Sequence, residues 1–159
     1  MRSGAALPTP SDVGELYALA TGGDSAEDAE LFSTLYDLAL DRSDVVAVTA
    51  REVGELVGFA YGHRWRWAEQ HDDWSEGLAA ELGADAARLE HAFAVQLVAV
   101  HPRFTHHGLG FELLKQLMVA SSAEVHWLQI EDSDSPARRL FRRMGYRPVG
   151  DGAQVLVHG

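Results

Sequence analysis

The sequence predicts an α/β fold in which helices layer onto a mixed β-sheet, and three segments support this prediction. Residues 92–131 contain an apolar strand, a helical pattern and a second apolar strand, which is typical of a parallel crossover. Residues 44–61 and 146–157 each contain two strand-like runs joined by a short polar link, which indicates antiparallel hairpins. We therefore expect a central sheet of about six to seven strands with helices on both faces.

Length and composition favour one soluble domain covering residues 1–159. The chain is 47% hydrophobic and 23% charged, as in an ordinary globular protein. No apolar stretch approaches the roughly 20 residues of a membrane span, and the first residues lack the apolar core of a signal peptide. A cytoplasmic location is the expectation. The absence of cysteine excludes a thiol nucleophile and Cys-based metal sites.

The formal net charge of -11 bears on the partners that the chain can bind. Such a charge argues against nucleic acid and favours small cationic partners such as amines. The alternative is that the charge serves solubility alone.

Two helices are predicted before the first hairpin. Ser11 is the expected N-cap of the first helix, and the second runs from Ser25 toward Arg42. The second helix carries apolar residues at helical spacing, namely Leu31, Leu35 and Leu38.

Residues 63–91 form a mostly helical insertion rich in tryptophan and carboxylates. One interpretation is a surface excursion whose tryptophans cover the sheet. The other is a substrate lid, because aromatic faces and acidic groups suit a cationic, partly apolar molecule. The candidate substrate-binding residues are Trp65, Trp67, Asp73 and Trp74.

Residues 96–118 contain an apolar strand, a loop with Gly108 and Gly110, and the start of a helix. Backbone N–H groups at such a helix start suit an anionic phosphate ligand. The helix is predicted to bury its apolar positions, Phe111, Leu114, Leu117 and Met118.

Two stretches resemble one family. LVAVHPRFTHHGLGFELLKQLM (residues 97–118) is similar to the coenzyme A motif of the GNAT superfamily of acyl-coenzyme A dependent N-acyltransferases, in which a strand and a proline precede Arg/Gln-x-x-Gly-x-Gly/Ala. DSPARRLFRRMGY (residues 134–146) resembles the family motif Asn-x-x-Ala-x-x-Leu-Tyr-x-x-x-Gly-Phe. The order of predicted elements also fits this family, which implies a GNAT-like fold with a splayed central strand pair.

The resemblance implies that acetyl-coenzyme A is the co-substrate, with its pyrophosphate held by main chain in the loop. A backbone N–H at Val98 is implied to polarise the thioester carbonyl. The residues implied to contact the cofactor are Val98, Ala99, Val100, Thr105, His106, His107, Gly108, Leu109, Gly110, Phe111, Asp134, Ala137 and Phe141.

Four positions depart from the family pattern. Thr105 replaces the usual Arg or Gln, His106 stands where glycine is common, and Asp134 replaces Asn. Phe141 stands where a Tyr usually protonates the leaving thiolate, and phenylalanine has no proton to donate. Arg103, with the loop histidines, is expected to restore positive charge.

Glu90 and His91 are the candidate general base, because a carboxylate can hold an ammonium ion and an imidazole titrates near neutral pH. His63, Glu131 and Asp132 are further candidates that spacing does not exclude.

No metal is expected, because the loop histidines have no carboxylate or cysteine among them. The predicted function is direct transfer of an acetyl group, within a ternary complex, to a primary amine of a small cationic acceptor. The alternatives are an acyl-coenzyme A binding or regulatory module with weak turnover, and acetylation of a protein N-terminus or lysine. Pairing as a homodimer stays open.

Overall fold

A computed structural model describes residues 7–20, 26–70, 72–104, 108–129, 136–149 and 155–159. In these residues six strands form one mixed sheet in the order β1-β2-β3-β4-β6-β5. The pair β3/β4 is parallel, whereas β1/β2, β4/β6 and β5/β6 are antiparallel. The predicted mixed sheet and the parallel crossover are confirmed. The strands are β1 (Val46–Glu52), β2 (Glu55–Arg64), β3 (Phe93–Val100), β4 (His126–Gln129), β5 (Arg147–Val149) and β6 (Val155–His158).

The described helices follow the predicted order. They are α1 (Pro10–Ala20), α2 (Ala26–Ala39), α3 (Asp73–Leu82), α4 (Ala86–Leu89), α5 (Leu109–Ser121) and α6 (Pro136–Arg143). Short 3₁₀ turns lie at Trp67–Glu69, Gly83–Asp85 and Pro102–Phe104. The described residues between Trp65 and His91 are mostly helical, while β2 continues to Arg64.

The chain forms two compact units, which divide strand β3 between them. The first unit is Met1–Gly62 with Gln96–Ser121, and the second is His63–Val95 with Ser122–Gly159. The prediction of a single domain stays a prediction.

The first unit buries an aromatic and aliphatic core. Val13 and Leu16 of α1 contribute to this core, with Tyr36 of α2 and Phe59 of β2. The Tyr36 ring meets the Phe59 ring edge-on at 5.1 Å between centroids. The Tyr36 hydroxyl donates to the carbonyl of Pro8 at 2.9 Å, so one side chain links the segment before α1, α2 and the sheet.

The N-cap of helix α1 lies two residues before the predicted one. Thr9 caps the helix: the Asp12 N–H donates to Thr9 Oγ1 at 3.1 Å, and the Thr9 N–H reaches Asp12 Oδ2 at 3.4 Å. This is a reciprocal capping pair with Pro10 at the first helical position. The prediction of Ser11 as N-cap is therefore wrong, because Thr9 with Asp12 satisfies two backbone groups. The cap predicted at Ser25 lies outside the described residues.

In helices α2 and α5 the apolar face predicted from the sequence differs from the face that is buried. In α2 the buried positions are Tyr36 and Ala39, while the leucines at positions 31, 35 and 38 are exposed. In α5 Phe111 is 40% exposed, and Leu113 is buried in its place. Leu114 and Leu117 are buried as predicted.

The second unit packs around aromatic residues and a buried histidine. Trp65 and Trp127 lie in its core with Leu78 and Leu89. His126 on β4 is 3% exposed, and burial, followed by the nearby His158, lowers its pKa to about 4. A neutral imidazole at position 126 is therefore part of the folded unit.

Helix α6 ends at Arg143, and Gly145 follows as the terminating glycine that the sequence predicts. This glycine has φ of +102°, its N–H donates to the Arg142 carbonyl, and the Tyr146 N–H donates to the Phe141 carbonyl. These bonds form the helix-ending motif that requires a left-handed residue. The last hairpin pairs β5 with β6, while the Asp151-Gly152 turn lies outside the described residues.

Candidate functional site

Strand β3 presents two different faces in the first unit. Leu97 and Ala99 are buried in its core, whereas the alternate residues Val98 and Val100 are partly exposed. This alternation follows from the period of two in a strand. The Val98 side chain therefore points away from the first unit's core, and the predicted role of its backbone N–H stays a prediction.

The start of α5 has the features expected of an anion site. Gly108 is exposed with φ of +78°, a conformation that suits glycine, and a Cβ at this position would meet open space. The first intrahelical bond runs from the Glu112 N–H to the Gly108 carbonyl at 3.0 Å. The N–H groups of Leu109, Gly110 and Phe111 thus have no intrahelical partner and lie at the positive end of the helix dipole. The predicted contacts Thr105, His106 and His107 lie outside the described residues.

Gly58 on β2 controls how closely α5 approaches the sheet. A Cβ at this position would lie 2.9 Å from Leu113 Cδ1 and 3.1 Å from Leu109 Cδ2. The role of this residue was not predicted from the sequence. The available signal was an isolated glycine inside a strand, which often marks a close approach.

Arg103 has an acidic partner next to the loop. Its Nη2 donates to Glu55 Oε2 at 3.2 Å, and Nε2 of His101 lies 3.8 Å from Glu55 Oε1. Glu55 therefore compensates the positive charge expected of Arg103. The adjoining 3₁₀ turn is held by backbone bonds at its two ends, from His101 N–H to Val57 and from Phe104 N–H to His101, each 2.8 Å.

Four tryptophans form an edge-to-face cluster in the second unit. The Trp65 ring contacts those of Trp67, Trp74 and Trp127 at centroid distances of 5.3, 6.4 and 5.0 Å. Trp65 is buried, and the Trp67 indole N–H donates to the Ala86 carbonyl at 2.7 Å. Trp74 is 53% exposed. Of the predicted substrate residues, Trp74 therefore offers the accessible aromatic face, while Trp65 and Trp67 support it.

The candidate base lies beside this cluster. Glu90 Oε1 accepts a hydrogen bond from the Trp67 backbone N–H at 3.2 Å. His91 has φ of +66°, and its N–H donates to the Trp65 carbonyl at 2.8 Å. Both side chains belong to exposed residues. The fold thus brings Glu90 and His91 next to Trp65 and Trp67. Glu90 lies 23 positions after Trp67 in the sequence.

The two aspartates at the start of α3 differ in their bonding. Asp72 caps the helix by accepting from the Ser75 N–H at 2.7 Å. Asp73 is the first helical residue and is exposed. Asp73 and Trp74 therefore place a carboxylate and an indole next to each other in sequence at the helix start.

Phe141 is buried on α6 and packs against Tyr146 at a centroid distance of 5.8 Å. Burial raises the pKa of the Tyr146 phenol. The predicted cofactor residue Ala137 lies on the same helix. Asp134 and the candidate bases Glu131 and Asp132 lie outside the described residues.

Metal centres and membrane spans each require a recognisable arrangement of residues, which can be checked for the described residues. Among them no group of three or more His, Asp or Glu side chains is arranged to hold a metal ion. None of the described helices has the length and apolar character needed to cross a membrane.

A mixed sheet whose parallel strands are joined by a helix, with a glycine of positive φ just before that helix, has the geometry of proteins that hold phosphate groups at a helix start. The model of the Acetyltransferase (GNAT) family matches residues 12–146. The chain belongs to this family, and its class of activity is acyl transfer.

Solved structures share the fold at low sequence identity. An acetyltransferase from Thermus thermophilus is 15% identical, with 99% of this chain and 97% of that chain covered and a TM-score of 0.66. The PaiA N-acetyltransferase from Thermoplasma acidophilum, solved with coenzyme A, is 13% identical, with 99% of each chain covered and a TM-score of 0.61. The ribosomal-protein-S18-alanine N-acetyltransferase from Escherichia coli is 15% identical, with coverage of 98% and 91% and a TM-score of 0.58. A search of curated protein sequences finds no match.

Proposed function

We propose that this protein transfers an acetyl group from acetyl-coenzyme A directly to a primary amine of a small cationic acceptor. The observation that carries the cofactor half is the start of α5, where exposed Gly108 at φ of +78° precedes three N–H groups without an intrahelical partner. The Thermoplasma relative solved with coenzyme A supports the same cofactor. The thioester supplies the acetyl group, and the family match supports its transfer.

The acceptor half of the proposal concerns the second unit. The exposed face of Trp74 and the carboxylate of Asp73 suit an ammonium group, because an indole face and a carboxylate both attract cations. Glu90, positioned by its bond with the Trp67 N–H, is proposed as the base that removes the amine proton. His91 is the second candidate for that role.

The reaction is tested by incubating the full chain with acetyl-coenzyme A and a panel of polyamines, monoamines, amino sugars and peptides, and by measuring free thiol. Release with small cationic amines is expected. Preference for a peptide N-terminus would replace the acceptor assignment with protein acetylation.

The role of Glu90 as the general base is tested by one variant and a matched control. Glu90→Gln is expected to lower kcat by about 10²-fold, the usual contribution of a general base, without changing the Kd for coenzyme A. Glu81→Gln, an exposed carboxylate of α3, is the matched control and should retain activity. Equal rates for both variants would remove Glu90 from the mechanism.

A glycine substitution tests the cofactor site separately. Gly108→Ala forces a Cβ into the left-handed region and should weaken coenzyme A binding about tenfold by calorimetry. Gly77→Ala, in open space on α3, is its control.

The second candidate, a binding module with weak turnover, is favoured by one observation: Phe141 has no hydroxyl. Tight coenzyme A binding without thiol release for any amine would establish it. No binding of coenzyme A would overturn both functions.

A further inference from the structure

Helix α2 carries a stripe of exposed leucines on the side opposite its packed face. Leu31, Leu35 and Leu38 are 51%, 42% and 62% exposed. Their spacing of four and three residues places them on one side of the helix. Three large apolar side chains in a row are more than the scattered exposure that any surface shows.

The packed side of α2 is already satisfied within the first unit. Gly14 of α1 approaches Ser33 so closely that an added Cβ would lie 3.2 Å from the Ser33 Cβ, and Ser33 Oγ donates to the Pro10 carbonyl at 2.7 Å. Tyr17 packs on Phe32 at 4.5 Å between ring centroids. The leucine stripe is therefore a second apolar face that the α1/α2 packing does not use.

The charged residues of α2 are all acidic. Residues 7–41 contain eight carboxylates and no Lys, Arg or His. Glu27, Glu30 and Asp37 are exposed on α2 itself. Such a surface repels anionic lipid and nucleic acid, and a second copy of the same face would bring its own acidic residues of α2 against these.

We propose that the leucine stripe of α2 and the carboxylates beside it bind a basic amphipathic helix of a partner protein. The partner's apolar residues would pack between the leucines as in ordinary helix pairing, and its Lys and Arg side chains would meet the carboxylates. This surface uses no residue of the proposed acetyl-transfer site, so it is an additional binding function.

The probe is a fluorescein-labelled peptide of about 18 residues with Leu at positions i, i+3, i+4 and i+7 and Lys at the flanking positions. A peptide of the same composition in scrambled order is the control for charge alone. The full chain is expected to bind the amphipathic peptide with a Kd on the order of 10 µM, at least about tenfold more tightly than the scrambled one. Binding should weaken at about 0.3 M ionic strength, because the contact includes surface charges.

Two double variants test the surface, one for its apolar half and one for its charged half. The double change Leu35→Ser and Leu38→Ser removes apolar contact, and the double change Glu30→Lys and Asp37→Lys reverses charge. Each should weaken peptide binding about tenfold or more, while urea unfolding shows an intact fold. Val119→Ser, an exposed apolar position on α5 that is 74% exposed, is the matched control and should bind as the original protein does.

Three results would overturn the proposal. These are equal binding of the scrambled peptide, unchanged binding by the leucine variant, and a dimer in light scattering that the leucine variant abolishes. The last would assign the stripe to a second copy of this chain.

Discussion

The turn between β1 and β2 holds a β-branched residue in a backbone conformation that such residues rarely adopt. Val53 has φ of +50° and Gly54 has φ of +81°, and Val53 is fully exposed. Two successive positive φ values are those of a type I′ hairpin turn, for which Asn-Gly is the favoured pair. Val53 therefore contributes strain of about 1 kcal/mol or more and no packing in return.

Val53→Asn is expected to stabilise the protein by about 1 kcal/mol, because asparagine tolerates the left-handed region. Urea unfolding should show a higher midpoint at unchanged slope. Val119→Asn exchanges the same residue types at an exposed helical position and should leave stability within about 0.5 kcal/mol. A Val53→Asn midpoint equal to the original would show that the turn relaxes around valine.

Phe141 is a second residue whose type is unusual for its position. It is 7% exposed and occupies the position at which the family motif has a tyrosine. A thiol with an unperturbed pKa of about 8.5 can leave without full protonation, so transfer should be slower than with an acid present.

Phe141→Tyr is expected to raise kcat about tenfold, a conservative share of what general acid catalysis contributes. Steady-state thiol release measures it, with the KM for acetyl-coenzyme A recorded in parallel. Phe32→Tyr on α2 makes the same chemical change away from the proposed site and should leave kcat unchanged. If kcat stays constant in both variants, protonation of the thiolate does not limit turnover.

At the scale of elements, the position of α5 depends on a glycine in the strand beneath it. The Leu113 side chain that a Cβ at Gly58 would strike is fully buried, and the Ala50 Cβ lies 3.3 Å from the same point. The leucine has little room to move, so the helix itself must shift.

Gly58→Ala is expected to destabilise the protein by about 1–3 kcal/mol, as overpacked cores do, and to weaken coenzyme A binding through the displaced start of α5. Gly77→Ala is the matched control: it meets open space in the exposed part of α3 and should stabilise by about 0.5–1 kcal/mol. Chemical denaturation and calorimetry with coenzyme A give the two readouts. Unchanged coenzyme A affinity in Gly58→Ala would mean that α5 does not transmit the strain.

Element type was predictable from the sequence because local periodicity determines it, as α5 and the β1/β2 hairpin show. The buried face of α2 was not predictable, because both sides of that helix carry apolar residues. Phe32 and Tyr36 lie on one side, and three leucines lie on the other. Tertiary packing against α1 decides between them. The hydrogen bond between Glu90 and Trp67 was also not predictable, because it joins residues that are distant in sequence.

For the whole molecule, the acidic charge is unevenly distributed along the chain. Eight of the 24 carboxylates lie in residues 7–41, a stretch that contains no Lys, Arg or His. The basic residues concentrate later, with Arg142 and Arg143 in the last turn of α6, where cations favour the helix end. An uneven charge of this kind affects association and pH response more than fold.

The response of stability to pH should depend on the buried imidazole of the second unit. His126 has a pKa of about 4 in the folded chain and an ordinary value of 6.5 when unfolded, mainly because of burial and then because of His158. Between these values the unfolded chain binds more protons. The free energy of unfolding is therefore highest above about pH 6.5 and falls as the pH drops toward 4.

His126→Leu removes the titrating group while keeping an apolar side chain against Phe93, whose ring lies 5.8 Å from the imidazole. We expect the free energy of unfolding of the original protein to fall more steeply between about pH 7 and about pH 4.5 than that of the variant, by up to about 1.4 kcal/mol per pH unit. Urea unfolding across this range measures both curves. Parallel curves would show that His126 is protonated in the folded chain, or that carboxylates alone set the acid response.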